Sequence, residues 1–90
     1  MLVNTVHELG AALRGRRIEL GLSQAEIAKR VGVSRPWLSR VENGRPKAEI
    51  GLVLAVLASL GLVLCIDEDR GGATDNRVDI DVLLEEYRRE

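Results

Sequence analysis

Ninety residues make one small domain, and 46% hydrophobic with 30% charged residues excludes a disordered or collagen-like chain. Aromatics are 2% of the chain, Trp37 and Tyr87 with no Phe, so any core is Leu, Val, Ile and Ala, and single-stranded bases find no row of rings to stack on. The net charge of −1 hides an asymmetry: residues 1–47 carry nine Lys/Arg against four acids, a balance of +5, and residues 48–90 carry four Arg against ten acids, a balance of −6, so the basic half suits a polyanion and the acidic half a different partner.

Thr5-Val6-His7-Glu8 is a capping box. A helix follows from about Val6 to Leu20. Val6, Leu9, Ala12 or Leu13, Arg16 and Leu20 mark its inner stripe and flank, while Arg14, Arg17 and Glu19 point to water. His7 is a surface residue of the first turn, and as the single histidine it leaves no metal triad. Gly21 is a left-handed stop. Ser23-Gln24-Ala25-Glu26 is a second capping box, and Gly32 interrupts the helix it opens. Ile27, Ala28 and Val31 are that helix's apolar positions. Ser34 caps a third helix, from about Arg35 to Glu42. Pro36 falls in its first turn, where a missing donor costs little, and Leu38 and Val41 point inward. Asn43-Gly44 ends it, and Gly44-Arg45-Pro46-Lys47 is a turn. A fourth helix runs from about Ala48 to Leu60. It is apolar almost all round, so a second subunit is expected to cover what the chain's own core does not.

Gly61 stops the fourth helix. Leu62-Val63-Leu64-Cys65-Ile66 then reads as a β-strand, with a continued helix as the other reading of so short an apolar run. No second strand is visible. A strand here leaves its backbone donors and acceptors unpaired, so its expected partner is the same strand of another copy. Cys65 is a small apolar filler of that strand. As the single cysteine it leaves no internal disulfide or cysteine-based zinc site, and it fits a reducing cytoplasm. The domain is thus expected over residues 1–67, with an acidic linker and tail over 68–90. Arg70 to Asn76 is linker by composition. A short helix is expected from Asp79 or Asp81, with Ile80, Leu83, Leu84 and Tyr87 on one face. It is marginal alone, so it docks on a partner or is disordered. No apolar run approaches a membrane span, and no signal-peptide pattern opens the chain. With no nucleophile–base pair, phosphate loop or metal set, no enzyme, cofactor or metal site is expected.

The second and third helices, joined at Gly32, form a helix-turn-helix. Ala28 sits where they cross, and a larger side chain would push them apart. Gly32 supplies the backbone angle of the turn. Ile27, Val31, Val33, Leu38 and Val41 anchor both helices, which leaves the outer face of the third one available to a DNA major groove.

Gln24-x-x-x-Ala28-x-x-x-Gly32-Val33-Ser34, continuing to Leu38-Ser39-Arg40-Val41-Glu42-Asn43-Gly44, resembles the Cro/repressor-like (XRE) helix-turn-helix family, from about Leu9 to Leu60. Trp37 within Ser34–Arg40, the run from Leu60-Gly61 into the strand and the short acidic tail are similar to a HipB-type antitoxin. The resemblance implies a lambda-repressor-like bundle of about four helices, mostly α, with the strand pairing across a homodimer. It implies a dimer that represses its own operon at a palindromic operator and binds a HipA-type serine/threonine kinase toxin.

Position by position, the resemblance makes Gln24 a phosphate ligand at the start of the second helix. It places Arg35, Pro36, Ser39 and Arg40 outward on the recognition helix, after the capping Ser34. Arginine bonds guanine O6 and N7 bidentately, so Arg35 and Arg40 are the expected base readers, or else solvated arginines. Pro36 departs from the family's polar residue and is limited to apolar contact, such as a thymine methyl. Trp37 either flanks the core or meets the sugar-phosphate. Asn43 and Arg45 match the loop that grips phosphate, and Glu42 matches a structural acid expected to bond backbone or an arginine. Leu62, Val63, Leu64, Cys65 and Ile66 are the expected dimer contacts. Ile80, Leu83, Leu84 and Tyr87 are the expected toxin contacts, unless the toxin binds the folded body.

Overall fold

A computed structural model of the chain describes residues 2–68 and 80–88. It contains α1 (Val6–Glu19), α2 (Gln24–Val31), α3 (Arg35–Glu42), α4 (Ile50–Ser59) and α5 (Ile80–Arg88). The protein is mostly α, as its sequence implies, and its body is a bundle of the first four helices.

Each capping hydroxyl accepts as predicted, but the expected box at α1 does not close: the Glu8 carboxylate accepts from Asn4 N–H at 2.9 Å instead of from Thr5 N–H. Thr5 Oγ1 accepts from the Glu8 backbone N–H at 3.1 Å. Ser23 Oγ accepts from Glu26 N–H, and the Glu26 carboxylate accepts in return from Ser23 N–H at 3.0 Å, a closed capping box. The Ser23 bonds stabilise the ionised form and hold the Glu26 carboxyl below its ordinary value. Ser34 Oγ accepts from Trp37 N–H, with Pro36 in the first turn as expected. Gly32 ends α2 at φ +83°, a left-handed conformation that costs glycine nothing and most residues 1–2 kcal/mol or so.

The core holds no ring. Leu13, Ile27, Leu38, Val56 and Leu60 are its fully buried large side chains. Ala28, Val41 and Leu57 complete it, and Trp37, Val31 and Val33 pack half-buried at its edge. Trp37 thus flanks the core while remaining half-exposed. Ala28 is buried where α2 meets its neighbours. α1 packs on α3, and α2 packs on both α3 and α4.

Three expectations are corrected. Leu20 is 43% exposed rather than inward, because α1 ends at Glu19 and Leu20 is its C-cap. Arg17 is buried instead of facing water. It shares the stripe of Gly10 and Leu13, three and four residues apart, and a carboxylate waits at that depth. α4 starts at Ile50, two residues after Ala48, which packs against the core ahead of the helix. Residues 62–68 carry no regular secondary structure in the single chain. A strand is defined by its pairing, and the described residues of one chain offer no second strand. The linker Arg70–Asn76 lies outside the described residues.

Candidate nucleic-acid interface

α2, the Gly32 turn and α3 form the helix-turn-helix. α3 buries Leu38, Val41 and Glu42 and exposes Arg35, Pro36 and Arg40. The separation is set by helical spacing, since Leu38 and Val41 lie three apart on the inner side. Ser39 is half-buried, and Asn43 Nδ2 donates to its carbonyl at 2.8 Å, so Asn43 closes the C-terminus of α3. The turn continues through Arg45, whose backbone N–H donates to Arg40 O at 3.1 Å, and both arginine side chains are exposed. Six of the nine expected interface residues are thus exposed on or beside one short helix: Ser34, Arg35, Pro36, Arg40, Asn43 and Arg45. Ser34 is engaged as a cap. Trp37 packs inward, and Ser39 lies partly beneath Asn43.

Gln24 opens α2 beside this surface. A polar hollow lined by Arg14, Arg17, Ser23, Gln24, Arg35 and Asn43 lies between the second half of α1, the N-terminus of α2 and the length of α3. At its floor, Arg17 grips Glu42 with two hydrogen bonds: Nε to Oε2 at 2.8 Å and Nη2 to Oε1 at 3.0 Å. Arg17 Nη1 donates to Leu22 O at 2.9 Å, which ties the α1–α2 connection to the same guanidinium. Gln24 Nε2 donates to Glu42 Oε1 at 3.0 Å. Arg35 Nε lies 3.4 Å from Gln24 Oε1, a long hydrogen bond on the exposed side. The expectation that Glu42 is a structural acid bonded to an arginine holds.

Burial alone pushes the Glu42 carboxyl up, but the hydrogen bonds from Arg17 and Gln24 and the charges of Arg17 and Arg14 outweigh it, and the group is held below its ordinary value. The hydrogen bond to Glu42 raises Arg17 in turn, against the lowering effect of burial. Both stay ionised at neutral pH, and the pair is internally satisfied.

Composition and motif matching did not find Arg17. The signal was present nonetheless, because Arg17 falls four residues after Leu13 and seven after Gly10 on the buried stripe. Gly10 was also missed. A Cβ there would lie 2.5 Å from Val41 O and 2.6 Å from Glu42 O, so only glycine lets α1 approach the end of α3 this closely.

A second surface is apolar. Leu2, Val3, Val6, Leu9, Leu57 and Leu62 line a groove that Val63, Leu64 and Cys65 border on one side. Val63 is 81% and Ile66 92% exposed. Of the expected toxin contacts, Ile80, Leu84 and Tyr87 are exposed on α5, and the Leu83 side chain lies outside the description. Lys47 Nζ lies 5.7 Å from the centre of the Tyr87 ring. No helix among the described residues is long and apolar enough to cross a membrane.

The chain belongs to the helix-turn-helix domain family, of the Cro/repressor-like type, whose family model matches residues 8–64. The ImmF control region 10 kDa protein of Bacillus phage phi105 is 42% identical over 57 residues, 61% of this chain and 63% of the phage protein. The match therefore spans less than two thirds of that relative's length. An HTH-type transcriptional regulator of Sinorhizobium fredii is 41% identical over 59 residues, 66% of this chain and 78% of its own length. A solved chain from a HipB–O4 20mer complex superposes with a TM-score of 0.72, covering 78% of this chain and 99% of that chain. At 23% identity this is a likeness of fold.

Proposed function

We propose that the protein is a sequence-specific DNA-binding transcriptional repressor that acts as a homodimer on a palindromic operator. The observation that carries this reading is the outer face of α3: Arg35, Pro36 and Arg40 stand exposed on the second helix of a helix-turn-helix, and the exposed Asn43 and Arg45 follow directly. Such a face enters the major groove, where Arg35 and Arg40 read guanine edges and Pro36 meets a thymine methyl. Asn43 and Arg45 grip phosphate at one end, and the N-terminus of α2 with Gln24 does so at the other. The +5 balance of residues 1–47 supplies the salt-dependent part of the affinity.

Dimerisation is assigned to Leu62, Val63, Leu64, Cys65 and Ile66. Val63 to Ile66 expose apolar side chains and carry no regular secondary structure beside an apolar groove that Leu62 also lines, which supports pairing with the same segment of a second copy. The finer role is that of a type II antitoxin that represses its own operon and restrains a HipA-like kinase toxin. The fold shared with HipB supports it, as does an acidic helix, α5, with Ile80, Leu84 and Tyr87 exposed. The names of the relatives, a control-region protein and a transcriptional regulator, favour a second reading: a stand-alone repressor with no toxin partner.

Selection of bound duplexes from a random pool tests the DNA reading. A recovered palindrome with half-sites about one helical turn apart, or a multiple of it, is the expected result, and recovery of random sequence overturns it. Affinity capture from the native host separates the two finer readings: a kinase-fold partner supports the antitoxin, and DNA-only complexes support the stand-alone repressor.

A further inference from the structure

The Arg17–Glu42 pair does more than staple α1 to α3. Glu42 is buried, yet its Oε1 serves two donors, Arg17 Nη2 at 3.0 Å and Gln24 Nε2 at 3.0 Å. A carboxylate only accepts, so it dictates which end of the Gln24 amide turns inward. The nitrogen faces Glu42, and the oxygen is left facing the recognition helix. There it stands 3.4 Å from Arg35 Nε, at the first residue of α3. A neutral amide with no such anchor could present either end, and the nitrogen end would repel a guanidinium.

We propose that Glu42 is a positioning residue for DNA recognition: held by Arg17, it fixes the Gln24 amide so that Oε1 holds the Arg35 guanidinium at the N-terminus of α3. Gln24 then acts on base reading through Arg35, and a single amide hydrogen is left for the phosphate. Its oxygen accepts and cannot donate to a phosphate, and one of its two amide hydrogens is committed to Glu42. Arg35 is pre-ordered before DNA arrives, which reduces the side-chain entropy lost on binding. This inference rests on the reading of α3 as the recognition helix.

The test needs variants that fold. Removing Glu42 alone strands a buried guanidinium, so Arg17 and Glu42 are replaced together by Met, which keeps volume without charge. Gln24→Met keeps length without hydrogen bonds. On the selected operator, preference for the base pair read by Arg35 should fall about tenfold in Gln24→Met and by a similar factor in Arg17→Met/Glu42→Met. The triple variant should lose no more than either. A full preference in the folded Arg17→Met/Glu42→Met protein, or losses that multiply in the triple variant, would overturn the proposal.

A second arm needs no DNA. The Arg35 Nε–H resonance should stand apart from those of solvated arginines in the wild-type protein and join them in both variants. A wild-type Arg35 signal already among the solvated ones overturns the proposal. If the resonance shifts as expected but wild-type protein binds every duplex alike, the positioning holds and the assignment of the DNA-reading face fails.

Discussion

Gly10 and Glu42 are 32 positions apart in sequence, yet the backbone carbonyl of Glu42 occupies the space where a side chain on Gly10 would begin. The close approach brings α1 near enough for Arg17, two turns further along the same stripe, to reach the Glu42 carboxylate with two bonds. The glycine and the ion pair are therefore two parts of one contact between α1 and α3.

Two glycines of α1 should respond oppositely to alanine. Gly10→Ala forces a Cβ against the carbonyl oxygens of Val41 and Glu42 and should destabilise the fold by about 1–3 kcal/mol or more. Gly15 is exposed in the same helix with nothing within 4 Å of its would-be Cβ, so Gly15→Ala should stabilise by about 0.5–1 kcal/mol. Denaturant unfolding at one fixed protein concentration checks the signs.

Truncating one member of the buried pair should be costly. The Glu42 and Arg17 side chains are 3% and 11% exposed, so Glu42→Ala leaves Arg17 buried without its counter-charge. The expected loss is about 3–5 kcal/mol, with Arg17→Met/Glu42→Met recovering most of it. A single-variant loss under about 1 kcal/mol, the range of surface pairs, would contradict the buried role.

The same pair makes stability fall in acid. The Glu42 carboxyl is held below its ordinary value of 4.5 by Arg17 and Gln24. Above that value the carboxyl is ionised both folded and unfolded, and its stabilisation is complete. Below it the unfolded chain takes up a proton first, so the contribution shrinks until the pH has passed the lower folded value. Glu26, bonded by Ser23, acts in the same direction. Unfolding free energy measured from about pH 7 down to about pH 3 should drop, and the slope should be shallower in Arg17→Met/Glu42→Met.

Arg40→Ala should weaken operator binding by about 1–3 kcal/mol and relax preference at one base pair. Arg45→Ala should weaken operator and random duplex alike and reduce the salt slope by about 1. Fluorescence anisotropy at several salt concentrations distinguishes the two. An unchanged operator affinity in Arg40→Ala would remove Arg40 from the base readers.

Leu64→Pro should produce a monomer with much weaker operator affinity. Proline removes one ladder donor at the centre of the proposed strand pair, and a monomer makes half the contacts at a palindrome. Light scattering at micromolar concentration should show a dimer for the wild-type protein and a monomer for the variant. A monomeric wild type would refute the assigned interface.

Local chemistry made much of the fold legible in advance. Thr5, Ser23 and Ser34 announce three helices because a short hydroxyl side chain followed three residues later by a free N–H is a contact within one turn. Gly21, Gly32 and Gly44 announce the ends of these three and Gly61 that of α4, and all four glycines have positive φ. The helix-turn-helix and its exposed arginines follow from spacing within α2 and α3, since a face of a short helix depends only on residues three and four apart. Arg17 was misplaced because its partner is 25 positions away, and nothing local distinguishes an arginine bound for Glu42 from one bound for water. The need for glycine at position 10 likewise exists only once α1 lies on the end of α3. The orientation of the Gln24 amide depends on a carboxylate delivered from the far end of the next helix. Sequence alone determined the helices, the glycine stops that follow the first four and the face that α3 turns outward, because those are set by neighbours along the chain. Tertiary structure decided which charge is buried and which glycine is irreplaceable, because both depend on distances that exist only after the helices have packed.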